Sequence, residues 1–310
     1  MKKIKIGIIG FGNIGVKRYL ALKKIKKYKI IIKYICDTKK INIPKNIKYF
    51  NNWKKIINND VDLVIISTPT KYTEIISKKL AGKYNLLVEK PISADLKMLT
   101  KIVKKANKEK KIIKPGYNLR FDTGLILLKK LLDQKVIGKT YYCKFVYANG
   151  TAKSNTNKIG SLFDMGLHII NLIDWLFKKK FKIVSNFNQR NEYFNRKKID
   201  NSFQILKFKN IICSLHHGFC SWKNQFYVEI CGSKGFIKVS SLPKWGMQKL
   251  VCANRKYPSG KPIIKKIYKF AKDNSWENEL NYVIKNVVIS NYKTINNESL
   301  DTLNYIKKNN

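Results

Sequence analysis

The amino-acid sequence predicts an α/β protein with a doubly wound parallel sheet in its N-terminal part and an α+β domain, built on a mostly antiparallel open sheet, in its C-terminal part. A chain of 310 residues usually forms two domains. Up to about residue 117, short apolar runs alternate with segments of helical periodicity, which is typical of a parallel sheet. Beyond that point, β-like runs follow one another with little helix between them, which favours an antiparallel sheet. The expected domains are residues 1–117 and 118–310, with the C-terminal helix able to pack back on the first domain.

Hydrophobic periodicity gives the expected elements of each domain. In the first domain the predicted strands are 3–9, 30–36, 62–66 and 85–88, and the predicted helices are 13–27, 72–83 and 94–110. In the second, helices are predicted at 119–134, 161–177, 275–289 and 299–307, and strands at 140–147, 203–208, 211–216, 225–231, 235–239 and 248–252. The polar stretch 150–160 is predicted to be a mobile loop.

The formal net charge of +45 is the most unusual bulk property of the chain. It does not predict a specific nucleic-acid partner, because the lysines are spread over the whole length and the chain has only five arginines, the residue that suits phosphate and base recognition. The abundance of Ile, Asn and Lys, whose codons are rich in A and T, indicates a biased genome instead. A mild attraction for anionic ligands remains as an expectation.

The six cysteines form no Cys-x-x-Cys pair and no metal-binding spacing with histidine, so we expect reduced thiols in a cytoplasmic protein and no metal. The chain has no run of about 20 apolar residues, so the sequence predicts no transmembrane helix and we expect no membrane partner. The start of the chain, MKKIKIGIIGFG, is interpreted as a strand rather than a signal peptide, because its apolar part is short, rich in glycine and lacks a cleavage site.

A glycine motif predicts a dinucleotide site. Residues 10–15 read Gly-Phe-Gly-Asn-Ile-Gly, directly after the first predicted strand and at the start of a predicted helix. Gly10 permits a tight turn, Gly12 lets the backbone approach a pyrophosphate, and Gly15 lets helix and strand pack closely. The N-terminus of the helix, at Asn13 and Ile14, offers N–H groups and positive potential to the phosphates. The first domain is therefore predicted to be a Rossmann domain.

The identity of the cofactor depends on Asp37, which ends the next predicted strand. An acidic residue there can accept hydrogen bonds from the adenosine ribose and repels a 2′-phosphate, which favours NAD over NADP. Lys39 and Lys40 could offset that charge, so NADP stays open as the alternative.

Polar residues at three further places are candidates for chemistry. Thr68 and Pro69 follow the strand 62–66, and Glu89 and Lys90 follow the strand 85–88, at the strand ends where open α/β sheets bind ligands. Asp164 and His168 are four residues apart, which places them on one face of a regular helix. His216 and His217, in a β-like run, are interpreted as structural.

These segments together resemble the family of glucose–fructose oxidoreductase and inositol dehydrogenase (Gfo/Idh/MocA) over essentially the whole chain. The resemblance is carried by IGIIGFGNIGVKRYLALK, STPT, VEKPIS, GYNLRF, the segment 164–168 and VEICGSKGFIKV. It implies that Lys90 contacts the substrate hydroxyl and helps to move its proton, that His168 is the general base, and that Asp164 holds sugar hydroxyls. It also implies that Thr68, Pro69, Glu89 and Lys90 lie at the cofactor, and that Asn118 and Arg120 lie near the substrate.

The physical requirements of the reaction agree with those implied roles. Removing hydride from an alcohol requires a base for the O–H proton, and histidine titrates in the useful range. A lysine beside a positive nicotinamide ring has its pKa lowered by like charge.

The expected function is an NAD-dependent dehydrogenase acting on a secondary hydroxyl of a sugar or nucleotide sugar, or the reverse reduction. Two alternatives remain open: an NADP-dependent reductase of a keto-sugar or another carbonyl, and a non-catalytic member that binds cofactor or sugar. By resemblance we also expect a homodimer or homotetramer, and the segments NIGVKRYLALK and GYNLRF resemble members used in cell-surface polysaccharide biosynthesis.

Overall fold

A computed structural model describes residues 1–151, 160–178, 181–191, 198–258 and 260–309. The predicted loop 150–160 therefore lies mostly outside the described residues. The chain divides into two compact units, one formed by residues 1–118 together with 276–308 and the other by residues 119–275. Along the chain the α-helices are α1 Asn13–Lys24, α2 Thr70–Leu80, α3 Leu96–Lys108, α4 Thr123–Asp133, α5 Leu167–Phe177, α6 Ser275–Val288 and α7 Tyr292–Asn309.

The first unit contains a six-stranded parallel sheet in the order β3-β2-β1-β4-β5-β6. Its strands are β1 Lys3–Ile9, β2 Lys29–Cys36, β3 Lys48–Phe50, β4 Leu63–Ile66, β5 Asn85–Val88 and β6 Ile113–Pro115. Every residue of β4 is buried, as expected of a strand covered on both faces. The strand order reverses direction between β1 and β4, which is where doubly wound sheets bind ligands. The predicted parallel sheet is thus confirmed, and β3 and β6 are two short strands that the sequence analysis did not predict.

The C-terminal helices belong to this first unit. Leu280, Val283 and Ile284 of α6 are fully buried in its core, which also contains Ile6 and Ile65 from the sheet. Farther along, Asn296 of α7 accepts a hydrogen bond from the backbone of Ile113, at 2.7 Å. The sequence analysis placed residues 276–310 in the second domain while allowing the C-terminal helix to pack back on the first, because an apolar helical face does not show which sheet it covers.

The second unit contains an eight-stranded sheet in the order β14-β13-β12-β11-β7-β10-β9-β8. Its strands are β7 Thr140–Ala148, β8 Lys182–Gln189, β9 Asn201–Phe208, β10 Ile211–Gly218, β11 Gln225–Gly232, β12 Gly235–Ser240, β13 Gln248–Asn254 and β14 Ile263–Phe270. Neighbouring strands are antiparallel except for β7 and β10. The predicted mostly antiparallel sheet is confirmed, and β8 and β14 extend it at its two edges.

One predicted helix differs in an informative way. Where the sequence analysis expected a regular helix over 161–177, the residues Leu162–Gly166 form a π-helical turn, and α5 begins only at Leu167. Turns of this kind are rare overall, and those that exist are frequently found at functional sites.

Within the described ranges, none of the helices combines the length and the apolar character that a bilayer crossing requires.

Candidate active site

The glycine loop after β1 has no room for a side chain at Gly10 or Gly15 and has open space beside Gly12. Gly10 has a φ of +84°, and a Cβ on it would lie 2.6 Å from the carbonyl oxygen of Ser67. A Cβ on Gly15 would lie 2.1 Å from the carbonyl oxygen of Gly10. Both residues must therefore lack a side chain for the loop to close. A Cβ on Gly12, by contrast, would meet nothing within 4 Å, so the backbone there faces open space that a ligand can approach.

The start of α1 fits a dinucleotide pyrophosphate. Gly12 is the N-cap residue in an extended conformation, and no side chain caps the first turn at Asn13, Ile14 and Gly15. The N–H groups of this turn and the positive end of the helix dipole therefore face the open space beside Gly12. That arrangement suits an anionic group, and the chain residues fit the cofactor that the motif predicts.

Asp37 links the glycine loop to the loop after β2 by hydrogen bonds, at the carboxyl ends of the parallel strands. Its carboxylate accepts hydrogen bonds from the backbone N–H of Phe11, at 2.6 Å, and from that of Lys39, at 2.9 Å. The hydroxyl of Tyr49 donates to the carbonyl oxygen of Asp37, at 2.8 Å. These contacts fix the carboxylate beside the glycine loop, and a carboxylate has further lone pairs for ribose hydroxyls. Lys39 and Lys40 are exposed.

Removing the charge of Asp37 should change the cofactor preference. We expect Asp37→Ser to weaken NADH binding by about tenfold, because a charged hydrogen bond contributes roughly 1.5–3 kcal/mol, and to move the NADPH/NADH affinity ratio toward NADPH. Fluorescence titration with both cofactors measures this ratio. Asp62→Asn is a matched control, since Asp62 accepts a hydrogen bond from the backbone of Lys5 at the opposite edge of the sheet, at 2.7 Å. An unchanged ratio in Asp37→Ser would contradict the assignment.

The loops after β4 and β5 lie at this edge as well. A Cβ on Gly10 would be 2.9 Å from the backbone nitrogen of Thr68, so the predicted cofactor residues Thr68 and Pro69 adjoin the glycine loop. Buried Thr73 fixes that loop by donating its hydroxyl proton to the Thr68 carbonyl oxygen, at 2.8 Å. The backbone N–H of Glu89 donates to the carbonyl oxygen of Ile66, at 2.9 Å, and half-buried Lys90 follows at the end of β5.

A buried ion cluster lies beside Lys90, and sequence analysis did not predict it. Arg18 of α1 is fully buried, and its Nη2 and Nε donate to one carboxylate oxygen of Glu89, at 2.7 and 3.1 Å. Its Nη1 donates to Glu279 of α6, and its guanidinium carbon lies 4.5 Å from the centre of the Trp276 ring. Burial alone would lower the pKa of Arg18, but the two carboxylates raise it above its ordinary value. The cluster of Arg18, Glu89 and Glu279 is therefore charged and pairs one cation with two carboxylates.

In the second unit, the π-turn carries Asp164, and His168 lies in the first turn of α5. Asp164 is half-buried and His168 is buried. The regular α-helix that the sequence analysis expected over this segment is corrected, because a π-turn comes directly before α5. The shared face of Asp164 and His168 stays a prediction, since four residues span close to one turn in either kind of helix. The ring of Tyr147, at the end of β7, meets the His168 ring edge-on, with 6.0 Å between centroids.

His217 supports the π-turn from the sheet. It lies on β10, paired in register with Tyr147 of β7, and is fully buried. Its Nδ1 is 3.1 Å from the hydroxyl oxygen of Ser161, and a Cβ on Gly166 would lie 3.0 Å from its Nε2. Burial, reinforced by His216, lowers the pKa of His217 to about 3, so the imidazole is neutral at physiological pH. This geometry agrees with the structural role that the sequence analysis gave His217.

The depressed pKa of His217 predicts how stability depends on pH. The unfolded histidine binds a proton near pH 6.5 and the folded one only near 3, so acid favours the unfolded chain throughout that window. We expect His217 to account for about 2 kcal/mol of lost stability between pH 7.5 and 5. Urea unfolding at both pH values measures the loss, which should be smaller in His217→Gln. Equal losses in variant and wild type would contradict this origin.

The remaining predicted substrate residues divide between the two units. Asn118 is buried and opens the short 3₁₀ helix Asn118–Phe121 at the end of the first unit's N-terminal segment. Half-buried Arg120 belongs to the second unit, where its guanidinium carbon lies 5.7 Å from the centre of the Trp175 ring in α5. Thus Lys90 and Asn118 belong to the first unit with the glycine loop, and Arg120, Asp164 and His168 belong to the second. Within the part of the chain that the structure describes, no group of His, Cys, Asp and Glu side chains could hold a metal ion.

Two family models match the sequence. The model for an oxidoreductase family with an NAD-binding Rossmann fold matches residues 4–117, and the model for the family's C-terminal alpha/beta domain matches residues 129–278. The chain belongs to the Gfo/Idh/MocA oxidoreductase family. The predicted family and the predicted NAD(P)-dependent dehydrogenase are thereby confirmed.

Individual members of the Gfo/Idh/MocA family resemble the chain at low identity. An inositol 2-dehydrogenase/D-chiro-inositol 3-dehydrogenase of Shouchella clausii is 22% identical over 77% of this chain and 73% of its own length. A glucose-6-phosphate 3-dehydrogenase of Bacillus subtilis is 25% identical over 74% of this chain and 67% of its own length. A levoglucosan dehydrogenase in complex with NADH and L-sorbose has the same fold, with a TM-score of 0.83, 15% identity, and coverage of 100% of this chain and 97% of its own.

Proposed function

We propose that this member of the family is an NAD-dependent dehydrogenase that oxidises a secondary hydroxyl of a sugar, a related polyol or a nucleotide sugar, or reduces the corresponding ketone. One observation carries the proposal: Lys90 follows β5 at the edge of the sheet where the open glycine loop and the carboxylate of Asp37 lie. This position supports the proposal that Lys90 contacts the reacting hydroxyl beside the expected cofactor site. The similarity to dehydrogenases named for inositol and glucose 6-phosphate supports a polyhydroxylated substrate.

In this proposal His168, Lys90 and Asp164 have separate roles in moving the proton of the reacting hydroxyl and in orienting the substrate. NAD, held by the glycine loop and Asp37, would supply the hydride acceptor. His168 accepts the proton of the reacting hydroxyl through its imidazole, and the Lys90 ammonium donates a hydrogen bond to the same oxygen. Asp164 accepts hydrogen bonds from neighbouring hydroxyls and so orients the ring. Asn118 and Arg120 contribute further polar contacts to the substrate.

A panel assay tests the reaction class. Purified protein is mixed with NAD⁺ and, one at a time, myo-inositol, glucose, glucose 6-phosphate and a nucleotide sugar, and the formation of NADH is followed by absorbance. We expect at least one polyol to be oxidised at a rate that depends on its concentration. The same panel with NADP⁺ tests the alternative cofactor, which exposed Lys39 and Lys40 favour. A protein that binds NADH but oxidises no member of a broad panel, and reduces no keto-sugar, would support a non-catalytic role.

We also propose that the chain forms a homo-oligomer through the outer face of the eight-stranded sheet. This face exposes large apolar side chains on neighbouring strands, namely Tyr142, Phe187, Phe203, Ile205 and Ile212. Contiguous apolar patches of this kind mark interaction sites. Light scattering should give the mass of a dimer or tetramer, and Ile212→Glu should shift that mass toward the monomer.

We also propose a cytoplasmic location, because the six cysteines are free thiols and four of them are buried.

A further inference from the structure

A lysine and a tryptophan lie against Tyr147, the residue whose ring meets that of His168. Lys244 and Trp245 come from the short 3₁₀ helix Pro243–Trp245 between β12 and β13. The Lys244 ammonium donates a hydrogen bond to the hydroxyl of Tyr147, at 3.2 Å. It also lies 4.6 Å from the centre of the Trp245 ring and 5.6 Å from that of Tyr147. Because Tyr147 contacts the His168 ring directly, this group of Tyr147, Lys244 and Trp245, the Lys244 cluster, adjoins the proposed base.

The Lys244 ammonium keeps its charge available. Within the described residues, no carboxylate forms an ion pair with it, and its hydrogen-bond partner is a neutral phenol. Lys244 is exposed, so an anion can reach it without breaking an existing ion pair. Its contacts with the two rings hold the side chain over the cluster, unlike those of a lysine that extends freely into solvent.

The accessible part of the Trp245 ring, which packs against Tyr147, offers an apolar surface beside that charge. Tyr147 is buried, Trp245 is half-buried, and their ring centres are 5.8 Å apart with an angle of 40° between the planes. A sugar ring has apolar C–H faces that can pack against an exposed indole, while its hydroxyls remain free for polar groups. A ring resting on Trp245 with an anionic substituent toward Lys244 would use both features.

We propose that the Lys244 cluster is the subsite for an anionic group of the substrate, so that the preferred substrate is a phosphorylated or carboxylated sugar and not a neutral polyol. The inference rests on the proposed function, since it assigns the substrate class of the same site. Phosphate and carboxylate present the same chemistry to an ammonium, namely oxygen acceptors with negative charge. They differ in charge and geometry, so an experiment can separate them.

Calorimetric titration of the full-length protein saturated with NADH tests the subsite without requiring turnover. The probes are glucose, glucose 6-phosphate and glucuronate. We expect one of the anionic sugars to bind at least tenfold more tightly than glucose, with an advantage that decreases as salt is raised. Lys244→Gln should bring the affinity for that anionic sugar down to the affinity for glucose. Lys249→Gln, an exposed lysine on β13, is the matched control and should behave as wild type.

The outcomes separate this inference from the proposed function. Equal affinities for the three sugars, no binding of either anionic sugar, or an advantage that survives in Lys244→Gln would overturn the subsite. If the wild type oxidises a sugar but binds neither anionic sugar more tightly than glucose, the dehydrogenase proposal stands while the anionic subsite fails. Thermal unfolding of Lys244→Gln at the wild-type temperature confirms that the variant is folded.

Discussion

Lys90→Met and His168→Asn are each expected to lower kcat by about 10²- to 10⁴-fold, the usual contribution of a positioned proton-transfer group. In the proposed mechanism, Lys90→Met removes the ammonium that holds the reacting oxygen, and His168→Asn removes the group that takes its proton. Neither change touches the glycine loop or Asp37, so the affinity for NADH should change far less than kcat. Steady-state kinetics on a substrate found in the panel assay, together with fluorescence titration of NADH, measure both quantities.

The pH profile adds a readout that misfolding would not produce. In the wild type, kcat for oxidation should fall at acid pH as the base becomes protonated, and that limb should be missing from the residual activity of His168→Asn. Lys97→Met, an exposed lysine at the start of α3, is the matched control for Lys90→Met. Turnover that is unchanged in either active-site variant would remove that residue from the mechanism.

The second large effect concerns stability. Arg18→Met should destabilise the protein by about 3–5 kcal/mol, because breaking a buried ion pair leaves uncompensated charge in the interior. Glu89 and Glu279 would both lose the guanidinium that they share, and fully buried Glu279 has no other ion-pair partner within the described ranges. Thermal unfolding should begin roughly 10 °C lower, from the usual conversion for a unit of this size.

A second substitution makes the origin of that loss testable. Glu279→Gln in the Arg18→Met background removes one of the two stranded charges, so the double variant should be more stable than Arg18→Met alone. Arg255→Met, on an exposed arginine, should change the unfolding temperature little. A double variant that unfolds at a lower temperature than Arg18→Met would show that the cluster is not held by charge pairing.

The sequence predicted those parts of the fold whose signals are local. The apolar runs of β1, β4 and β5 and the glycine motif lie within a few residues of chain, so periodicity and turn chemistry were sufficient. The strands β3 and β6 have three residues each, which is too short for an alternating pattern to be recognised. The π-turn at Leu162–Gly166 was missed because its residues follow ordinary helical spacing, while its close approach to His217 is a long-range contact that spacing does not show.

Contacts between side chains that are far apart in the sequence could not be predicted from residue spacing. Glu279 is 261 residues from Arg18, and no rule of spacing joins them. A compositional signal did exist, since Arg18 is one of only five arginines in a chain rich in lysine, and arginine is the residue preferred for buried ion pairs. Lys244 gave no such signal among so many lysines, because its contact with Tyr147 arises only when β7 and the turn before β13 are brought together.

The placement of α6 and α7 limits how this protein can be divided. A fragment of residues 1–118 would contain the glycine loop, Asp37 and Lys90, and by sequence it would pass for an independent nucleotide-binding domain. It would nevertheless expose the core surface that Leu280, Val283 and Ile284 cover, and would leave Arg18 with one carboxylate. A minimal cofactor-binding version of this protein therefore cannot be made by truncation alone. It must contain residues 1–118 followed, through a short linker, by residues 276–308.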